Sequence, residues 1–340
     1  VHRYSVICFI YLTIFTLING AVFAREKVSL NGFVAQSCPN ETDYYPFSPL
    51  NIKVKSVSLG NESDVQAALP EGVSLFGAWE LNANNSAFGG LSGLQFSSQG
   101  RLVAVSDRGN LITIDLTDGT PNGNGSISPL LDNSGKVLEG KNETDAEGLA
   151  YYDNLTFISF ERNHRILAYA LDACGAAARG ITIAELPSII NDVTINDNDG
   201  AEALYFKEKG GLFAGYETSI DGKSIVLRID ISNGGSGYAS KDSYSFQHGP
   251  TVHEDFKLVG ASQNAYLFRA YSRWRGNRNI IRLDDGREIF LQHPLTVDNF
   301  EGIAQLDDAS GNYMLYIISD DNFSARQKIL LYAFKIALSG

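Results

Sequence analysis

Ala146-Glu-Gly-Leu-Ala-Tyr151, followed by Leu155-Thr-Phe-Ile-Ser-Phe-Glu161, is the stretch on which the fold turns. Both halves are short, rich in aromatic and β-branched residues, and bounded by Gly, Asn and Asp, so they read as strands. The phrase recurs as Leu91-Ser-Gly-Leu-Gln-Phe96 with Leu102-Val-Ala-Val-Ser-Asp107, and as Ala201-Glu-Ala-Leu-Tyr-Phe206 with Leu212-Phe-Ala-Gly-Tyr-Glu217. Leu258-Val-Gly-Ala261 with Ala265-Tyr-Leu-Phe-Arg-Ala-Tyr-Ser272 is a weaker copy, and Phe300-Glu-Gly-Ile-Ala304 with Met314-Leu-Tyr-Ile-Ile-Ser-Asp320 is the last. Each copy continues into a third apolar run, at Leu111–Leu116, Ile166–Leu171, Ile225–Ile231, Ile280–Leu283 and Ile329–Ile336. The small residue after the first acidic position falls at Gly93, Gly148, Ala203, Gly260 and Gly302, at intervals of 55, 55, 57 and 42.

A period of this size belongs to propellers and solenoids, and three to four strands per repeat make a propeller blade. A solenoid fits less well, because no stretch reads as a capping repeat. The expected fold is therefore all-β, a β-propeller of four-stranded antiparallel blades. Five copies leave Arg25 to about Asn82 for one more, which predicts six blades, with seven as the alternative. The strand near Leu330–Ile336 is expected to pair with N-terminal strands and close the ring. Helical periodicity is confined to Ser63–Leu69 and Leu186–Ile190.

Residues 1–24 have the parts of a secretory signal: a basic start at His2 and Arg3, an apolar run from Val6 to Ile18, and a small-residue end at Ala21-Val-Phe-Ala24. Cleavage is expected after Ala24, leaving residues 25–340 as one domain, exported to a periplasm or secreted. The apolar run is too short for a membrane-spanning helix. The leading Val is read either as an alternative start codon, which would suggest a bacterial source, or as the edge of a fragment. Asn-x-Ser/Thr sites such as Asn40, Asn61 and Asn84 would matter only in a glycosylating cell. The formal charge of −12 argues against nucleic acid or an anionic membrane as partner. After the signal two cysteines remain, Cys38 and Cys174, which an oxidising compartment would permit to pair.

The repeat carries its chemistry at two positions. Glu147, Glu202 and Glu301 open inner strands, with Ser92 and Val259 at the equivalent places; Asp107, Glu161, Glu217 and Asp320 close the next strands, with Ser272 in the weak copy. In an antiparallel blade both positions lie on one face, so seven carboxylates converge on one channel mouth. Residues at such positions often lock blades together by accepting backbone N–H bonds. Burying all three inner glutamates unpaired is costly, however, and a joint role is the stronger reading. Ca²⁺, which takes six to eight oxygen ligands, is the expected partner, with Asp145, Asp199 and Asp298 available to extend its shell. Arg108 and Arg162 follow strand-end acids, Arg273 is read in the same column, and these suit an anionic ligand. His164 is a candidate base, and Trp274 a candidate for stacking, although packing between blades is its default. Asp197-Asn-Asp-Gly200 fails an EF-hand loop, since Ile195 and Phe206 stand at its first and last ligand positions. Ser92 fails the nucleophile elbow.

Phe88-Gly-Gly-Leu-Ser-Gly-Leu94 with Val105-Ser-Asp-Arg-Gly109, Asp145-Ala-Glu-Gly-Leu-Ala150 with Phe160-Glu-Arg-Asn-His-Arg-Ile166, and Phe300-Glu-Gly-Ile-Ala304 with Ser319-Asp-Asp-Asn-Phe-Ser324 resemble the phytase-like domain family named for an esterase-like activity. The resemblance spans about Gly60 to Ile336. It implies a relation to β-propeller phytases, which are calcium-dependent enzymes that hydrolyse phosphomonoesters at an acidic channel mouth. A looser similarity is to six-bladed calcium-dependent lactonases and phosphotriesterases. The expected function is hydrolysis of phosphoester or carboxylic ester bonds by a monomer acting on a small anionic substrate. Ca²⁺ would be held by the acidic residues, Arg108, Arg162 and Arg273 would hold the anion, and His164 would move protons. The alternative is an exported propeller that binds a ligand or protein without catalysis.

Overall fold

The computed structural model describes residues 30–38, 45–207, 211–231, 244–253, 255–292 and 296–338. The expected signal segment, its cleavage point and the leading Val lie outside them. The chain forms four-stranded antiparallel sheets. The first blade is Leu91–Phe96, Leu102–Ser106, Asn110–Thr117 and Thr120–Pro129, and the second is Ala146–Tyr152, Leu155–Phe160, Arg165–Tyr169 and Ile181–Glu185. The third is Ala201–Lys207, Gly211–Ile220, Lys223–Ile229 and Tyr244–Thr251, and the fourth is Lys257–Ala261, Ala265–Ser272, Gly276–Leu283 and Glu288–Leu291. The fifth takes Asn299–Asp307, Tyr313–Asp320 and Ile329–Ile336 from the C-terminal region and its outer strand, Val73–Ala83, from the N-terminal region.

The small residue of each repeat shows how the blades close into a ring. A Cβ on Gly93 would lie 2.5 Å from the Glu147 carbonyl oxygen, on Gly148 2.6 Å from that of Glu202, on Gly260 2.4 Å from that of Glu301, and on Gly302 2.5 Å from that of Ser92. Each inner strand thus abuts the backbone of the next, the inner strands of the third and fourth blades are also neighbours, and the last meets the first. Among the described residues the ring has five inner strands, which corrects the expected six blades and excludes the seven held as the alternative. Dividing the chain by a blade's length overcounted because long connections, such as residues 130–145 and 186–200, belong to no blade. The described part of Arg25–Asn82, the stretch assigned to a sixth blade, instead contributes a helix at Asn31–Ser37, a strand at Ser48–Ser56, a helix at Glu62–Ala67 and nearly all of the outer strand of the fifth blade.

Closure by an N-terminal strand is as expected, with Val73 opposite Ile336 and Leu81 opposite Ile329. Ser48–Ser56 adds a second seam, pairing with Val73–Ala83 on one edge and with Thr120–Pro129 of the first blade on the other. The expected helix near Ser63 forms. The one at Leu186–Ile190 does not, since β-branched Ile189 and Ile190 pair with Val193 and Thr194 in a short hairpin. Leu155–Phe160 is buried throughout because blades are covered on both faces, and aromatic pairs fill the gaps: Tyr152 with Phe206 at 4.5 Å and Phe96 with Tyr316 at 5.4 Å between ring centroids. Cys38 and Cys174 form a disulfide that ties the first helix to the second blade. None of the described helices is long and apolar enough to cross a membrane.

The ring makes a direct prediction. Gly148→Ala should destabilise the protein by about 1–3 kcal/mol in urea denaturation, because its methyl group meets the Glu202 carbonyl and the Ser159 hydroxyl, both 2.6 Å away. A loss below about 0.5 kcal/mol, the range of neutral surface changes, would contradict the close approach of inner strands.

Candidate metal centre

The strand pairing sets which residues share the channel mouth. Ala203 pairs with Gly215, Gly302 with Ile318 and Gly260 with Leu267, so two residues further on stand Glu217, Asp320 and Arg269. The strand-end column is therefore Asp107, Glu161, Glu217, Arg269 and Asp320. Arg269 takes the place that the sequence reading gave to Ser272, and Arg273 does not belong to the column. The reading aligned the end of the fourth apolar run, but that strand continues past the mouth. Spacing alone could not have found Arg269, which stands nine residues after Gly260 where the other repeats leave 13 to 18.

The inner column is Ser92, Glu147, Glu202, Val259 and Glu301, and its three glutamates are 7%, 8% and 7% exposed. They place one oxygen each within 4.8 Å of one another, and Asp145, Glu147 and Glu161 do the same, so Glu147 belongs to both groups. These carboxylates form the floor of a cavity of about 830 Å³, large enough for a substrate-sized molecule.

Burial, reinforced by Glu161 and Glu301, pushes the Glu147 carboxyl well above its ordinary range, and burial with Glu147 and Glu217 does the same to Glu202. Burial also raises Glu301, though Arg269 opposes it. Glu161 is pushed to about 7 by burial, against a hydrogen bond from the Gly200 N–H at 2.8 Å, and Asp320 to about 8 by burial and Glu301. Asp107 is raised by burial and by Asp145, and its Oδ1 is buried with no hydrogen-bond partner among the described residues.

Such a set is stable only when protonated or when it surrounds a cation. The residues fit a hard divalent ion. Every donor is oxygen, and oxygens on opposite sides of a Ca²⁺ at about 2.3–2.6 Å would lie roughly 5 Å apart, a span that oxygens all within 4.8 Å of one another do not exceed. The orphaned Asp107 oxygen is a further free donor on the same wall.

The structure treats the other predicted residues differently. Both oxygens of Glu217 are engaged, by Arg269 at 2.7 Å and Lys257 at 2.5 Å. Arg269 also bonds Glu301 and, at 2.7 Å, Asn299. Burial pulls its pKa down, but Glu301, Glu202 and Glu217 more than reverse this and hold it above its ordinary value. Arg162 bridges Asp145 at 2.6 Å and Asn198 at 2.7 Å, while Arg108 lies over the Phe323 ring at 3.4 Å. His164 sits behind Gly200, away from the cavity wall, and burial lowers its pKa. Arg273 is exposed on a hairpin, and Trp274 is 94% exposed, so it does not pack between blades. Arg269 and Lys257, which share the wall with Lys141 and Arg326, are cations that the sequence reading missed.

The solved structures that resemble this one include the PQQ-bound aldose sugar dehydrogenase of Streptomyces coelicolor, 13% identical with a TM-score of 0.43, covering 78% of this chain and 99% of that one. Another is a putative oxidoreductase (glucose dehydrogenase) of Thermus thermophilus, 11% identical with a TM-score of 0.42, covering 76% and 100%. No curated protein matches the sequence. The family model described as phytase-like, esterase-like activity of phytase, matches residues 86–284, which include four of the five repeats. With more than half of its length so matched, the chain belongs to the phytase-like family.

Proposed function

We propose that this protein is an exported, calcium-dependent hydrolase of phosphoester or carboxylic ester bonds, acting as a monomer on a small anionic substrate. The observation that carries the reading is the convergence of Glu147, Glu202 and Glu301 within 4.8 Å on the floor of a cavity whose wall bears Arg269 and Lys257. Glu147, Glu202 and Glu301 would hold the ion, with Asp107, Glu161 or Asp320 completing its shell. A divalent cation held there would polarise the ester oxygen and acidify a water. Lys257 and Arg269 orient the anionic group and stabilise developing charge. Without the ion, burial raises Glu161 to about 7 and Asp320 to about 8, and whichever of the two stays outside the ion's shell is placed to exchange protons near neutrality. The family, the disulfide and the expected signal segment support export and hydrolysis. A non-catalytic ligand-binding propeller is the second reading, favoured by the placement of His164 off the cavity wall.

Mature protein assayed against phytate, aryl phosphates, aryl esters and lactones should turn over at least one class in Ca²⁺ and lose that activity in chelator. Absence of turnover with every class would leave the binding reading.

The carboxyls also set a pH dependence. Asp320 and Glu161 rise on folding from 3.8 and 4.5 to about 8 and about 7, so they favour the folded state while protonated. That contribution is complete below about pH 4 and is lost as pH rises to about 8. In chelator, the melting temperature should be about 5 °C or more lower at pH 8.5 than at pH 6, and Ca²⁺ should narrow the gap. A flat profile in chelator would contradict the burial of these acids.

A further inference from the structure

The hairpin between the second and third strands of the fourth blade extends beyond the ring of strand-end residues. Its strand runs three residues past Arg269 to Ser272 and returns from Gly276, with Tyr271 opposite Asn277. Tyr271 and Asn277 line the acidic cavity, and the tip beyond them is Arg273-Trp274-Arg275. Trp274 is 94% exposed and Tyr271 72% exposed. Lower down, Arg278 lies over the Phe256 ring at 5.3 Å and braces the base.

An indole left in water at the tip of a braced hairpin contributes nothing to the core. No ion pair or side-chain hydrogen bond involves the guanidinium of Arg273 or Arg275 among the described residues. In a chain of formal charge −12, two uncommitted arginines flank an exposed indole in sequence, at the tip of a hairpin whose Tyr271 and Asn277 line the cavity. Their chemistry selects a ligand with two features: an anionic group for charge-assisted hydrogen bonds, and a planar ring for stacking.

We propose that this hairpin is the docking arm for the ring-bearing part of an aryl phosphate, with Trp274 on the ring and Arg273 and Arg275 on the phosphate. The inference extends the proposed function and rests on it only for what happens next at the carboxylate floor. The arm makes the first contact and confers preference for ring-bearing over small aliphatic phosphoesters.

Trp274 reports on its own contacts, since the only other tryptophan, Trp79, is 6% exposed. Intrinsic fluorescence is followed during titration with phenylphosphonate, whose C–P bond resists hydrolysis, alongside methylphosphonate and benzyl alcohol. Phenylphosphonate should quench the emission saturably, methylphosphonate and benzyl alcohol should not, and Trp274→Phe should remove the signal. Arg273→Ala with Arg275→Ala should weaken binding at least about tenfold without moving the melting temperature. The proposal is overturned by absent quenching, by equal quenching with benzyl alcohol, or by unchanged affinity in the double variant. Saturable quenching without hydrolysis of any ester would support the arm and sink the hydrolase reading. Calcium-dependent phenyl phosphate hydrolysis with an unchanged KM in Trp274→Ala would do the reverse.

Discussion

Arg269→Met should lower the free energy of unfolding by about 3–5 kcal/mol in chelator at neutral pH, the scale for removing one partner of a buried ion pair. Arg269 has a side chain only 20% exposed and bonds two acids, Glu217 and Glu301, whose side chains are 5% and 8% exposed. Removing the guanidinium leaves both carboxylates with less compensation in a place where little of them meets water. Lys257 retains one oxygen of Glu217, so the larger penalty falls on Glu301. Adding Glu301→Gln to Arg269→Met should recover much of the loss, because it removes the charge that was stranded. Equilibrium denaturation of the two variants measures both effects. A single-variant loss under about 1 kcal/mol, the scale of an exposed pair, would show that Arg269 is solvated and does not neutralise the mouth.

Glu147→Gln with Glu202→Gln should weaken Ca²⁺ binding by about 100-fold or more, since affinity at oxygen-ligand sites follows the number of charged ligands. Glu147 belongs to both clusters, which makes it the position where one substitution disturbs the whole floor. The same double variant should melt higher than wild type in chelator, because two desolvated carboxylates that raise each other's pKa are replaced by neutral amides. Loss of ion affinity together with gain of stability without the ion distinguishes a metal site from an acidic residue that locks blades. A locking residue would lose stability under both conditions.

The repeat made the propeller legible because blade packing demands it. Inner strands that abut need Gly or Ala at one position, and strands covered on both faces need continuous apolar runs, so both features survive in the sequence at fixed spacing. Blade number was not legible, since it depends on whether Arg25–Asn82 forms a new blade or completes an old one, and only strand pairing decides that. The inner glutamates were readable for the same reason as the glycines beside them. Arg269 was missed, and Ser272 put in its place, because the fourth hairpin is longer than that of the first blade, so the end of its apolar run no longer marks the mouth. Counting from Gly260 to its pairing partner would have found it, but the bulge between Leu258 and Gly260 hides that register from the sequence. His164 illustrates a different limit: three residues after Glu161, it turns behind Gly200 because Arg162 adopts a positive φ of 58° that redirects the chain.

Calorimetric titration of Ca²⁺ into chelator-treated mature protein, beside the Glu147→Gln, Glu202→Gln, Glu301→Gln triple variant, tests the metal centre most directly. Saturable binding and a melting temperature raised by Ca²⁺ are expected in wild type, and neither in the variant. No binding heat in wild type, with a melting temperature indifferent to Ca²⁺ and chelator, would return the three glutamates to a purely structural role.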